Sequence, residues 1–407
     1  MSGEWSTMLL HEFADIEMGQ SPKSEYYNNS GNGIAFMQGN RTFGMKYHEI
    51  DTFTTKITKK ALKDSILFSV RAPVGDINIS TCDVCIGRGL SALNAKNNQN
   101  EFLYYLLKFV KNDILLFENG SVFGSVNKND LSNIKVSIPT LSEQKAIASV
   151  LSNLDDKIDL LHRQNETLEK MAETLFRKWF VEPYKKYQSE GIITDEFQLE
   201  TFLKWIAETV GGEWGKEVMD NDFSKAAICL RGTDIADLNS GLAEKAPLRF
   251  VKPKKFENIE PQNGDILIEI SGGTETQSTG RTTYINDEVR SLFDYELVFS
   301  NFCRLIKIKD FRYSYFVYSY LQYLYKQDEF FNLENGSSGI KNLDYKTLLF
   351  DLKFPMPSED LVLNFHDTVE PLFKKINKNK LQIKSLSKLR DTLLPKLMSG
   401  EVRIKLD

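Results

Sequence analysis

Two stretches of the chain carry apolar residues at alternating spacings of four and three. The first runs Ile147, Leu151, Leu154, Ile158, Leu161, Asn165, Leu168, Ala172, Leu175 and Trp179. A spacing of 3.5 sustained this long predicts a coiled-coil seam, because an ordinary surface helix drifts toward 3.6. The second stretch runs Phe365, Val369, Leu372, Ile376, Asn379, Ile383, Leu386, Arg390, Leu393 and Leu397. Thr140-Leu141-Ser142-Glu143 fits a capping box for the first helix, and no Gly or Pro interrupts 141–181. In the second, Pro371 predicts a kink or a restart, Pro395 falls near the end, and Gly400 is a stop. Asn165 and Asn379 place one amide in each seam, though not at matching positions of the two series. A buried amide penalises other registers; a surface-facing Asn is the alternative.

The chain also repeats itself once. Glu118-Asn119-Gly120-Ser121 recurs as Glu334-Asn335-Gly336-Ser337, and Pro139 matches Pro355. Upstream, DSILFSV (64–70) resembles GDILIEI (264–270), and downstream Leu168 matches Leu386. The drifting offsets indicate an old duplication with about sixteen extra residues in the second copy. Each copy holds short strands (ILFSV, INIS, IKVSIP; DILIEI, TTYIN, NFCRLIKIK), one aromatic helix and then a long helix. The fold class expected is therefore α+β: two similar mixed α/β heads with pseudo-two-fold symmetry. About 39 helical residues span roughly 58 Å, so antiparallel pairing of the long helices would keep the heads apart. Tyr104 and Tyr320, in EFLYYLLKFVKN and SYFVYSYLQYLYKQ, are read as core packing rather than base-stacking platforms.

Composition narrows the class. The 407 residues are 41% hydrophobic and 26% charged, enough for two or three cored domains. No apolar run approaches a membrane span, and the acidic N-terminus does not read as a signal peptide. Four cysteines fit a reducing compartment, so a cytoplasmic setting is expected. The net charge of −5 hides a basic tail: residues 371–407 hold ten Lys/Arg and three Asp/Glu. Such a tail can contact nucleic acid or an acidic partner, or be a solvated helix face.

Polar chemistry gathers in the loops. Head one offers Gln38 to Thr42, Arg71 to Gly75, Arg88 and Ser121 to Lys128. Head two offers Arg231 to Asp234, SGGTETQSTGRTT (271–283) and Ser337 to Lys341. Small residues admit a close partner, and Arg, Asn, Gln, Ser and Thr read base edges or hold phosphates. Cys82-x-x-Cys85 lacks a second pair, and the four histidines are scattered, so no metal site is expected. No phosphate-binding loop, nucleophile elbow or amino-methyltransferase D/N-P-P-F/Y segment occurs, and no catalysis by this chain is expected.

The joint PTLSEQKAI (139–147), the helix LSNLDDKIDLLHRQNETLEKMAETLFRKWF and the close LRDTLLPKLMSGEVRI (389–404) strongly resemble the specificity subunit of type I restriction-modification systems. GDILIEISGG and STGRTTYI also resemble segments of that family. The resemblance implies target recognition domains at 1–139 and 181–355, a first spacer helix at 140–180, and a second with the C-terminal tail at 356–407. Each head would read one half of a bipartite, asymmetric double-stranded DNA target, and the helices would set the gap. Arg41, Thr42, Arg71 and Lys128 are placed on one half-site. Arg231, Thr233, Thr279, Arg281 and Lys341 are placed on the other. Two methyltransferase subunits would dock on the helices, and restriction subunits would join them. S-adenosylmethionine, ATP and Mg would sit on those partners, with no cofactor in this chain. The competing expectations are a structural coiled-coil adaptor whose heads bind proteins, and a solitary enzyme with an unfamiliar site.

Overall fold

The structure is a computed structural model and describes residues 5–117, 124–190, 196–241, 245–336 and 340–405. The Glu118 to Ser121 motif, Ser337 of its repeat, and the first residues of the Ser121 to Lys128 and Ser337 to Lys341 loops lie outside the described residues. The chain forms two compact units, one of residues 1–159 with 386–407 and one of residues 160–385. It passes between them twice, each time inside a long helix.

In the first unit, Ile66–Ser69 and Leu90–Ala95 are almost wholly buried apolar runs, as central strands must be. They form the middle of an antiparallel sheet with Ala14–Met18 and Ile77–Ile79 at its edges. A second sheet sets Ile34–Met37 parallel to Val84–Ile86. Ser6–Leu9 pairs with Lys135–Ile138, which leads into the first long helix. Helix Asn100–Phe109 buries Phe102, Tyr104, Tyr105 and Leu106 against the first sheet. Tyr104 is thus a core residue.

The second unit repeats this plan. Its main sheet orders Ile206–Gly211, Cys303–Ile308, Ile266–Glu269 and Thr282–Tyr284, and each strand occupies the place of its counterpart in the first unit. Lys225–Leu230 lies parallel to Leu297–Phe299, as Ile34–Met37 does to Val84–Ile86. Phe197–Glu200 pairs with Phe354–Pro357 before the second long helix. Tyr320, on helix Ser314–Lys326, is buried among Phe176, Phe202 and Phe316.

The long helices, Leu141–Phe176 and Glu359–Met398, pair in antiparallel fashion within each unit. In the first unit Arg403, just beyond the second helix, meets Glu143, and Arg390 meets Asp155. In the second unit Asn379 meets Asn165, and Phe365 meets Phe176. Ile147, Leu151, Ile158, Leu161, Ile376 and Ile383 are buried; Leu154, Leu168, Leu175, Leu372, Leu386 and Leu393 are half-buried. The asparagines therefore face one another across the seam, despite their unequal places in the two series.

Three expectations about the helices are corrected. Pro371 neither kinks nor restarts the second helix, which runs unbroken through it and through Pro395. Both prolines are exposed, as are Asp367 and Asp391, so the carbonyl each ring deprives of its N–H partner can turn to water. The first helix does not stop near 180. A π turn at Arg177–Val181 passes into Glu182–Glu190, and this wider turn brings Phe176 and Phe180, rather than Leu175 and Trp179, into the core. Glu143 does not close a capping box on Thr140. Its carboxylate is buried and takes both bonds of the Arg403 fork, a charge partner that a buried carboxylate requires.

Candidate nucleic-acid interface

In the first unit, strand Ile66–Ser69 ends at Val70-Arg71, and two backbone contacts fix that end. Val70 donates its N–H to the Gly89 carbonyl at 2.9 Å, and its own carbonyl accepts from Val126 N–H at 3.0 Å. Arg71 forms a lone bridge with Ser125. This brings Arg71, the Gly87-Arg88-Gly89 turn and residues 124–127 around one open cleft of about 600 Å³. The turn is pressed against Gln38: a Cβ on Gly87 would sit 2.8 Å from Gln38 Oε1, and one on Gly89 would sit 2.6 Å from the Gln38 carbonyl. Only glycine allows that approach, so the turn holding Arg88 has a defined place.

Arg71 and Arg88 are exposed, and among the described residues neither guanidinium meets a carboxylate. Among the described residues no acidic side chain lines the cleft. Lys128 is exposed at the start of helix Lys128–Ser132, without an ion pair among the described residues. Arg41 is exposed but bridged to Asp51 at 2.6 Å, a pair that solvent screens and a polyanion can open. The Thr52 hydroxyl and Arg41 together hold the Asp51 carboxyl below its usual range. Thr42 is half-buried beside it.

The second unit puts different chemistry at the equivalent places. Where Arg71 bridges Ser125, Ser271 pairs with Asn342 and donates its hydroxyl to the Asn342 side-chain oxygen at 2.7 Å. Where Arg88 stands, the Ser300 to Phe302 turn has an exposed Asn301, and the exposed Phe302 takes the place of Gly89. Beside it Arg304 lies 4.8 Å from the centre of the Tyr345 ring, with Nε 3.4 Å from Thr209 Oγ1 and no carboxylate partner among the described residues.

Four of the five residues placed on the second half-site are engaged within the protein. Arg281 is committed to Glu269, donating from Nε at 2.9 Å and Nη2 at 2.6 Å to a carboxylate that is 1% exposed. That pairing raises the already high pKa of Arg281 further. Arg231 is committed to Asp234 (2.7 and 2.9 Å) and to the Lys245 carbonyl, and its pKa is raised by Asp234. Lys341 bridges Glu334 at 2.8 Å, and the same carboxylate accepts from Thr279 N–H at 2.6 Å. Thr279 is fully buried, while Thr233 alone of the five is exposed. A fork bidentate to a carboxylate has its Nε and Nη2 edge occupied and is tied in place by that charge, which leaves only its remaining N–H groups for a base edge. The partners Glu269 and Glu334 escaped sequence reading because both bonds close across strands or loops. Ile268 faces Thr282 in the sheet, and that register alone sets Glu269 beside Arg281. The Arg231 and Asp234 pair carried a local signal, its spacing of three.

The comparisons with known proteins follow from this doubled plan. The family model described as the type I restriction modification DNA specificity domain matches residues 2–170. Across 433 aligned residues the chain is 27% identical to the MjaIX type I restriction enzyme specificity subunit of Methanocaldococcus jannaschii, covering 99% of this chain and 94% of that relative. The chain is thus similar along nearly its whole length to a type I restriction enzyme specificity subunit, and its residues 2–170 match the DNA specificity domain. A second specificity subunit from that organism, assigned as MjaX, is 41% identical over 171 residues; this match spans 41% of the chain and 40% of the relative. The HindI specificity subunit of Haemophilus influenzae is 21% identical over 74% of this chain and 77% of its own. The crystal structure of the S subunit from M. genitalium shares the fold, with a TM-score of 0.60, 19% identity and coverage of 99% and 97%. The family-model match at residues 2–170 takes in residues 2–159 of the first unit, and so the segments that line its cleft.

Proposed function

We propose that this chain is the DNA-recognition subunit of a type I restriction-modification complex, each head reading one half of a bipartite, asymmetric target. One observation carries the reading: two heads with the same strand order present different side chains at equivalent places, Arg71 and Arg88 against Ser271 and Asn301. Sameness of fold gives each head the same way of meeting a duplex, and different side chains give each head its own set of contacts with it. The paired helices set the gap between the halves and offer the docking surface for two methyltransferase subunits, which restriction subunits join. The chemistry and its S-adenosylmethionine, ATP and Mg belong to those partners. An adenine must leave the stack to be methylated at N6, and a reader that holds duplex on both sides supports that step. The test is methylation mapping in cells that express this chain with its methyltransferase, before and after exchange of the first head. One half of the modified motif should change and the other should stay. An unchanged motif defeats the reading and favours a structural adaptor.

A further inference from the structure

The proposed function leaves open what the cleft of the first unit does, and the geometry gives an answer that rests on that reading. A base edge lies recessed in a groove and is read by a side chain that protrudes into it. The cleft is the opposite shape. It is concave, and its two cations stand on separate segments, Arg71 at a strand end and Arg88 on a turn. Among the described residues its other polar side chains are Ser125 and Asn127, and none that lines it is a carboxylate. Asn127 is already used, its side-chain oxygen accepting from Asn129 and Asp130 N–H. What such a hollow takes is a projecting anion, and on duplex DNA the projecting anion is a backbone phosphate. The backbone contacts of Val70 with Gly89 and Val126 hold the two arginines' segments together, so the hollow needs no partner to assemble it.

We infer that Arg71 and Arg88 together grip one backbone phosphate of the first head's half-site, fixing the register of that head without reading sequence. The second unit has Ser271, Asn342 and Asn301 at the equivalent places, and none of the three is a cation.

The test uses the intact complex of this chain with its methyltransferase subunits, on a duplex bearing the methylated motif and on duplexes with single neutral methylphosphonates scanned through the first half-site. One methylphosphonate position should weaken the wild-type complex about ten-fold. Arg88→Met and Arg71→Met should weaken the unmodified duplex about as much, lower the slope of affinity against salt by about one, and lose nothing further at that position. Arg88→Lys should recover part of the affinity. The motif mapped in cells should stay unchanged in all variants. A motif relaxed at one base position would instead make the arginine a base reader and overturn the inference. So would a variant with unchanged affinity and salt slope. Both results leave the proposed function standing. A wild-type complex that does not prefer its own motif overturns both.

Discussion

Glu269 is 1% exposed, and both its oxygens accept from Arg281. Its carboxylate lies against Gly232 and Gly272; a Cβ on Gly232 would sit 2.5 Å from Oε1. A charge held this tightly cannot relax toward water when its partner is removed. Arg281→Ala should therefore destabilise the second unit by about 3–5 kcal/mol, measured by urea unfolding. Replacing both partners, Arg281→Met with Glu269→Leu, should recover most of that loss, because no bare charge is left buried. If Arg281→Ala were neutral, the guanidinium would be free for another role. A second residue gives a pH dependence. His366 is 5% exposed, stacked on Tyr315 at 5.1 Å and edge-on to Phe311. The charged groups around it are Glu370, whose Oε1 is 3.8 Å from Nε2, with Asp367, Asp310 and Arg312. Burial outweighs the acids and pulls its pKa below 6.5. The unfolded chain then binds a proton first on acidification, so stability falls as pH drops through about 6.5 toward the lowered value. His366→Gln should reduce the drop in urea midpoint between pH 7.5 and pH 5.5. It should not abolish it, since His48 is also buried and shifted down. An identical drop in the variant would clear His366.

Between the elements, polar pairs fix the register of an otherwise apolar seam. Asn379 Nδ2 donates to Asn165 Oδ1 at 2.8 Å and Gln164 Oε1 at 2.9 Å. In the first unit Asp155 accepts from Arg390 at 2.8 Å and from the Tyr105 hydroxyl at 2.7 Å, joining helix, helix and head. Lys108 stands 4.0 Å away, its pKa pulled down to about 8 by burial. The apolar period of 3.5 made the helices and nearly every seam position readable. Runs such as Ile66–Ser69 and Ile266–Glu269 made the central strands readable. The register was not readable, because Asn165 and Asn379 are partners only through antiparallel pairing, which no local spacing records. The same holds for the candidate interface. Residue type pointed to Arg71 and Arg281 alike, and only the fold shows that one has no carboxylate partner among the described residues while the other is held. Asn165→Leu alone should cost about 1–3 kcal/mol by leaving the Asn379 amide without that partner. Asn165→Leu with Asn379→Leu should be at least as stable as the parent in thermal unfolding, at the expense of a unique register. A single variant as stable as the double would show that the amide pair does not hold the seam.

At the scale of the molecule, the chain crosses between its two units only within the long helices, at 159–160 and 385–386. A change of helix length at those points leaves the residues of each unit untouched. Seven residues with a matching apolar pattern, inserted after Asp159 and again after Ser385, keep the seam on its face because the period is 3.5. They lengthen each helix by about 10.5 Å. Duplex rises about 3.4 Å per base pair, so the unspecified gap should grow by about three base pairs, with both half-sites unchanged. Methylation mapping with the methyltransferase present reads the result directly. Insertion in one helix alone puts the two seams out of register and should abolish modification. Insertion in both with the gap unchanged would mean that the helices do not set it, and the half-sites would then owe their separation to the partner subunits.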